Sequence, residues 1–122
     1  MSGGDKLNKL DKEKMIKKEI TELKRFFKEI ENDKKPFANR LIEQCSFMAV
    51  TLRELQETLN EDGAIELFVN GKQKMLREHP ATKTYNAMVK NYNSVIKQLL
   101  EMLPESRKEN DELMEFLRRD NK

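Results

Sequence analysis

The chain of 122 residues has one cysteine, one histidine and four glycines, and each scarcity closes off a class of protein. With Cys45 alone there is no disulfide framework, and a reducing, cytoplasmic setting is expected. A metal centre needs several His, Cys or carboxylate ligands at workable spacing, whereas Cys45 and His79 fall on different predicted elements. Nucleophilic catalysis by a Ser/His/Asp or Cys/His set would have to recruit His79, which stands before Pro80 at a predicted helix start and suits a capping role. The glycines at positions 3, 4, 63 and 71 form no phosphate-cradling loop. No segment is long or apolar enough to span a membrane, and the leading Met1-Ser2-Gly3-Gly4 reads as a flexible lead without a signal peptide's apolar run. The acidic pairs Glu61-Asp62 and Asp111-Glu112 sit at helix ends, where turn and dipole roles are the common ones. The expectation is a protein without catalytic residues, metal or cofactor.

What the chain does have is charge. Charged residues make up 38% and hydrophobic ones 37%, a small apolar share for a compact monomer of this length. That balance suits an elongated helical chain or one that completes its core by self-association. The net charge of +2 conceals blocks of alternating sign. Residues 6–28 hold nine Lys/Arg against four Asp/Glu, and residues 29–62 hold four against eight. Residues 63–108 return to eight against four, and residues 109–122 hold three against five. Such blocks can be solvated helix faces, can pair between subunits, or can meet a polyanion.

Apolar spacing predicts helices. Leu7, Leu10, Ile16, Ile20, Leu23, Phe27 and Ile30 recur at three and four residues, predicting a first helix over 7–30 that Asn32-Asp33-Lys34-Lys35-Pro36 ends. Pro36 opens the second, whose Leu41, Cys45, Met48, Leu52, Leu55 and Leu59 form a heptad seam widened by Phe37, Ile42 and Ala49. Gly63 is its predicted left-handed cap. Pro80 opens the third, with Ala81, Tyr85, Met88, Tyr92, Val95, Leu99 and Met102 as a second seam, and Pro104 closes it. The methionines on these seams read as adaptable packing rather than a cofactor pocket. A short acidic helix with Leu113, Met114, Phe116 and Leu117 apolar is expected over 109–119.

Between the two seams the period changes. Ile65, Leu67 and Val69 face Lys72 to Leu76 across Asn70-Gly71, which predicts a β-hairpin with a type I′ turn at that pair. A lone hairpin is marginal in water and should pack on a helix pair or on another subunit. Two helices of about 24 residues, each roughly 36 Å long, most simply lie antiparallel, yet cannot bury such wide stripes on each other alone. Self-association is the expected outlet, through Leu41, Met48, Leu52, Leu55, Tyr85, Met88, Tyr92 and Leu99. The fold class expected is mainly α: a long antiparallel helix pair joined by a short β-hairpin, flanked by N- and C-terminal helices, assembling into an oligomer.

The residues best suited to binding are basic. Lys14, Lys17, Lys18, Lys24, Arg25 and Lys28 crowd the first helix, with Lys17, Lys24 and Lys28 on one side and Lys14, Lys18 and Arg25 on the adjacent one. Mobile cations in this arrangement suit phosphates, and since no helix-turn-helix is evident in 7–30, backbone contact is expected rather than base readout. Lys72, Lys74, Lys83, Lys90 and Lys97 are further candidates.

The order of elements, with Gly71-Lys-Gln-Lys-Met-Leu-Arg-Glu-His-Pro-Ala-Thr-Lys-Thr-Tyr85 before the third helix and Leu99-Leu-Glu-Met-Leu-Pro-Glu-Ser-Arg107 at its close, resembles the small terminase subunits of tailed phages over about residues 36–107. The resemblance implies a non-enzymatic DNA-packaging factor, a ring oligomer that recognises viral double-stranded DNA and regulates the large terminase subunit in the cytoplasm of the bacterial host. It implies three parts: a basic DNA-contacting segment (1–33), an oligomerisation domain (34–104, with helix 36–60, hairpin 64–78 and helix 80–103), and an acidic tail helix (105–122) toward the large subunit or portal. The alternative is a structural coiled-coil or scaffolding protein with no nucleic-acid partner.

Overall fold

The computed structural model describes residues 8–107 and 110–119. Four helices and one hairpin follow in the order α1 (Lys9–Phe26), α2 (Lys35–Asp62), β1 (Ile65–Asn70), β2 (Gln73–Glu78), α3 (Pro80–Met102) and α4 (Asp111–Arg118). Leu7 and Glu109, which open the expected first and last helices, lie outside the described residues.

Local chemistry explains most of the boundaries. Asn8 caps α1 by accepting the Asp11 N–H on its side-chain oxygen at 2.8 Å, and Lys24 and Arg25 in the last turn face the negative end of the helix dipole. The helix stops at Phe26, four residues short of the Ile30 end that the spacing predicts. Phe27 and Ile30 nevertheless enter the core, because the chain reverses there and both side chains fill the inside of the bend. Bonds from the Ile30 N–H to Phe27 O and from the Lys34 N–H to Glu31 O hold that bend. Lys35 is helical rather than extended, so α2 begins one residue before Pro36, and it runs two residues past the expected end. Its 28 residues are about 42 Å long at 1.5 Å per residue. Gly63 closes α2 with φ +83° and ψ 155°, a positive φ as expected but with an extended ψ, so the chain passes straight into β1.

The two strands pair antiparallel with Asn70 opposite Gln73. The two-residue loop is therefore Gly71-Lys72, not Asn70-Gly71. Gly71 has φ +64° and no other residue of the turn has positive φ, which fits a turn needing glycine only at its first central position. Each pairing moves by two residues on β2. The faces are kept, but Leu67 meets Leu76 where the predicted register would have set it against Lys74.

His79 caps α3 as expected. Its Nδ1 accepts the Ala81 N–H at 3.0 Å, so the Nε2–H donates to Asp62 at 3.1 Å and ties the end of α2 to the start of α3. The helix ends at Met102, one residue early, because Pro104 holds Leu103 in extended backbone. Leu103 is buried all the same. Asn110 caps α4 by accepting the Leu113 N–H at 3.0 Å.

Packing divides the molecule in two. α1 and α3 each lie against α2. Leu23, Phe27 and Ile30, with Leu41, Ile42 and Cys45 of α2, Val95, Ile96 and Leu99 of α3 and Leu113 of α4, form the buried core. That core occupies the first half of α2 and the last half of α3. No residue from 51 to 94 is fully buried. The C-terminal half of α2 and the N-terminal half of α3 thus form a two-helix arm tipped by the hairpin. Leu52, Leu55, Tyr85, Met88 and Tyr92 along it are only half-covered, and a bond from Gln56 to the Tyr85 hydroxyl at 3.3 Å links its helices.

Cys45 sits in the core with no exposed surface and donates weakly to Ile42 O at 3.5 Å. Burial, reinforced by the negative charge of Glu19, pushes its thiol from the ordinary 9.0 up to about 12. A pKa raised by folding favours the protonated native state. The associated stability is whole below pH 9.0 and is lost as pH climbs toward about 12. Chemical denaturation of wild type against Cys45→Ala should show it: above pH 9.0 wild type loses about 1.4 kcal/mol per pH unit more than the variant. Parallel curves would mean that the thiolate is tolerated.

Candidate nucleic-acid interface

α1 is an unbroken helix with two chemically opposed sides. Glu19 and Leu23 face inward and are buried. At about 100° per residue, Lys14, Lys17, Lys18, Lys24 and Arg25 share an arc of about 120° centred roughly opposite Leu23. Glu13 and Glu22 flank that arc on either side. All five cations and Lys28, just past the helix end, are exposed.

Their electrostatic situations differ. Arg25 is engaged by Glu22 at 3.2 Å and Glu112 of α4 at 3.6 Å, and its guanidinium lies 4.3 Å from the Phe26 ring centre. Lys14, Lys17, Lys18, Lys24 and Lys28 form no ion pair among the described residues. They remain available to an outside anion, while Arg25 helps hold α4 in place. Lys12, one turn away, bonds Glu54 at 2.7 Å and sits 4.7 Å above the Phe47 ring, so it staples α1 to α2.

The chain reversal adds a cation that the sequence reading treated only as part of a helix stop. Lys35, in the first turn of α2, joins Lys24 and Lys28 around a shallow cleft over Phe27, Ala38 and Ile42. Once the first two helices are read as antiparallel, a lysine at the start of the second falls beside the end of α1, and that was the available signal. Lys83, Lys90 and Lys97 form a separate exposed stripe on α3, and Lys72 and Lys74 are exposed at the hairpin. The α3 stripe is not brought together with α1, since both helices pack on α2 and not extensively on each other.

Glu19 gave no sequence signal, being one acidic residue among many on a Lys/Glu-rich helix. It is 5% exposed. Arg53 of α2 reaches it at 3.4 Å, and Arg119, at the end of α4, donates to both of its oxygens. The Arg119 guanidinium also stacks 3.7 Å from the Phe116 ring, which in turn meets Phe26 at 5.1 Å between centres. One buried carboxylate thus joins three helices.

Of the residues expected at an oligomer surface, Leu41 and Leu99 are consumed in the chain's own core. Met48, Leu52, Leu55, Tyr85, Met88 and Tyr92 keep part of their surface free. On α4, Leu113 is buried, and Met114, Phe116 and Leu117 lie against the core, so the helix turns Asp111, Glu112 and Glu115 outward. Among the described residues no group of three or more His, Cys, Asp or Glu could hold a metal ion, and no helix is long and apolar enough to cross a membrane. Compared with known protein families, characterised proteins and solved structures, the chain has no match.

Proposed function

We propose that the protein is a small terminase subunit: a non-catalytic, DNA-binding homo-oligomer that recognises viral double-stranded DNA and regulates a large terminase subunit during genome packaging in the bacterial host. The observation that carries the DNA part is the exposed face of α1, where Lys14, Lys17, Lys18 and Lys24, with Lys28 just past the helix end, have no ion-pair partners among the described residues and lie away from the buried side. The helix–hairpin–helix order over 35–102, with its Pro-Ala start at Pro80 and Leu-Pro-Glu-Ser-Arg close at Arg107, supports the packaging role. The half-covered seams of the arm support self-association, because apolar stripes of that width gain from further burial. In this reading the large subunit meets α4 through Asp111, Glu112 and Glu115, since the apolar side of that helix is already occupied.

Salt dependence tests the DNA part. If the five lysines each neutralise one phosphate, log Kd changes with log salt at a slope of about 4 to 5 per bound chain, and affinity falls some hundredfold or more between 50 and 200 mM. Fluorescence anisotropy on a labelled duplex measures it. Failure to retain duplex DNA even at low salt would sink the DNA reading and favour the structural scaffold.

A further inference from the structure

The β1–β2 hairpin presents two faces of different character. On one, Arg77 bonds Glu66 at 2.8 Å and stacks 4.2 Å from the Phe68 ring, so Phe68 is covered from within the hairpin while Met75 beside it stays exposed. The other face is open. The register places Ile65 beside Glu78, Leu67 beside Leu76 and Val69 beside Lys74 in three successive rows. Their exposures are 64% for Ile65, 60% for Leu67, 73% for Leu76 and 54% for Val69, values found on no comparably continuous stretch of the helices. Among the described residues no helix packs extensively against the hairpin.

We propose that this face is a docking surface for the same face of a second copy of the chain, related by a two-fold axis that crosses the strands at the Leu67–Leu76 row. The charge pattern selects that occupant. Lys74 stands one row toward the tip and Glu78 one row toward the base, both on β2, and neither has an ion-pair partner among the described residues. A two-fold across the strands exchanges tip for base. It lays Lys74 of each copy over Glu78 of the other and sets Leu67 and Leu76 on their own counterparts. Val69 then meets the partner copy's base row, where Ala64, Ile65, Leu76 and Thr82 line a shallow hollow. A face that is its own complement after a half-turn is what an isologous contact requires, and a different partner has no need of that symmetry. Stacking two hairpins about 10 Å apart also gives a marginal two-stranded ribbon the second layer it lacks. The contact rests on the self-association in the proposed function and adds to it a closed pairwise contact, distinct from the heterologous contacts that close a ring, and makes no use of DNA.

Sedimentation velocity at micromolar concentration tests it, with Lys74→Glu, Glu78→Lys and the double exchange K74E/E78K. Both positions are exposed and outside the core, so the variants keep the fold, which circular dichroism checks. Each single reversal faces like charges twice across the axis and should weaken association about tenfold, while the double exchange regenerates both pairs and restores it. Leu76→Asp, at the centre, should abolish the contact. An assembly indifferent to all four variants would overturn the hairpin contact and leave oligomerisation through the helical seams standing. Singles that weaken association without rescue in the double would also overturn it. A wild type that stays monomeric would overturn this contact and the oligomer together, while the salt-dependent DNA measurement stands apart.

Discussion

Exchanging Lys14, Lys17, Lys18, Lys24 and Lys28 together for Glu is expected to lower affinity for duplex DNA at least about a thousandfold near 0.1 M salt, with folding and assembly unchanged. The magnitude follows from counterion release: each phosphate contact contributes about 0.9 to the salt slope, so at 0.1 M five contacts account for roughly four decades of affinity. Reversal adds repulsion to that loss. Stability should hold because, among the described residues, none of the five makes an ion pair that the change would break. Arg25 is left out of the set deliberately, since its contacts to Glu22 and Glu112 make its loss ambiguous between binding and docking of α4. A matched control reverses Lys83, Lys90 and Lys97 on α3. If that triple costs as much as the quintuple, the interface is not α1, and if the quintuple binds like wild type the assignment to α1 fails outright.

The helices of this fold were legible from spacing and punctuation, and the errors lie where the chain turns. The seams through Leu41–Leu59 and Ala81–Met102, each opened by a proline, place α2 and α3 to within two residues. Periodicity reports only which residues share a side, so it ran α1 on to Ile30. Phe27 and Ile30 are indeed buried, but by a bend, and a one-dimensional pattern does not separate a buried bend from another helical turn. The hairpin was legible from Asn70-Gly71, though glycine at the first loop position displaced the turn by one residue and so set Leu67 against Leu76. Leu41 and Leu99 were indistinguishable from Leu52 and Leu55 by spacing. Where the flanking helices settle along the pair decides which part of a seam becomes core and which stays open, and that is a tertiary property. The basic face was legible because exposure follows from the position of the apolar stripe, whereas the contribution of Lys35 needed the reversal. Glu19 was invisible for the same reason: its partners are 34 and 100 residues away.

That buried carboxylate yields the largest expected effect on stability. Replacing Arg53 and Arg119 together by Met should destabilise the protein by about 3–5 kcal/mol, because the change leaves the Glu19 carboxyl group almost without solvent and stripped of both cations. Met keeps much of the apolar stem, so lost packing is the smaller part. Adding Glu19→Gln to the double variant should recover most of the loss, since a neutral amide has no buried charge to compensate. Glu19→Leu in the otherwise wild-type chain should cost less than the arginine pair, because Arg53 and Arg119 keep roughly a quarter of their surface in water and can turn outward. The inequality is the test, and denaturant midpoints for the four proteins decide it. A double-arginine variant as stable as wild type would show that Glu19 reaches solvent by a route the native packing does not suggest. α4 should respond first. Arg119 follows directly on that helix as its C-cap and its stacking on Phe116 positions the ring that meets Phe26, so amide exchange across 111–118 should rise in Arg119→Met before the rest of the core loosens.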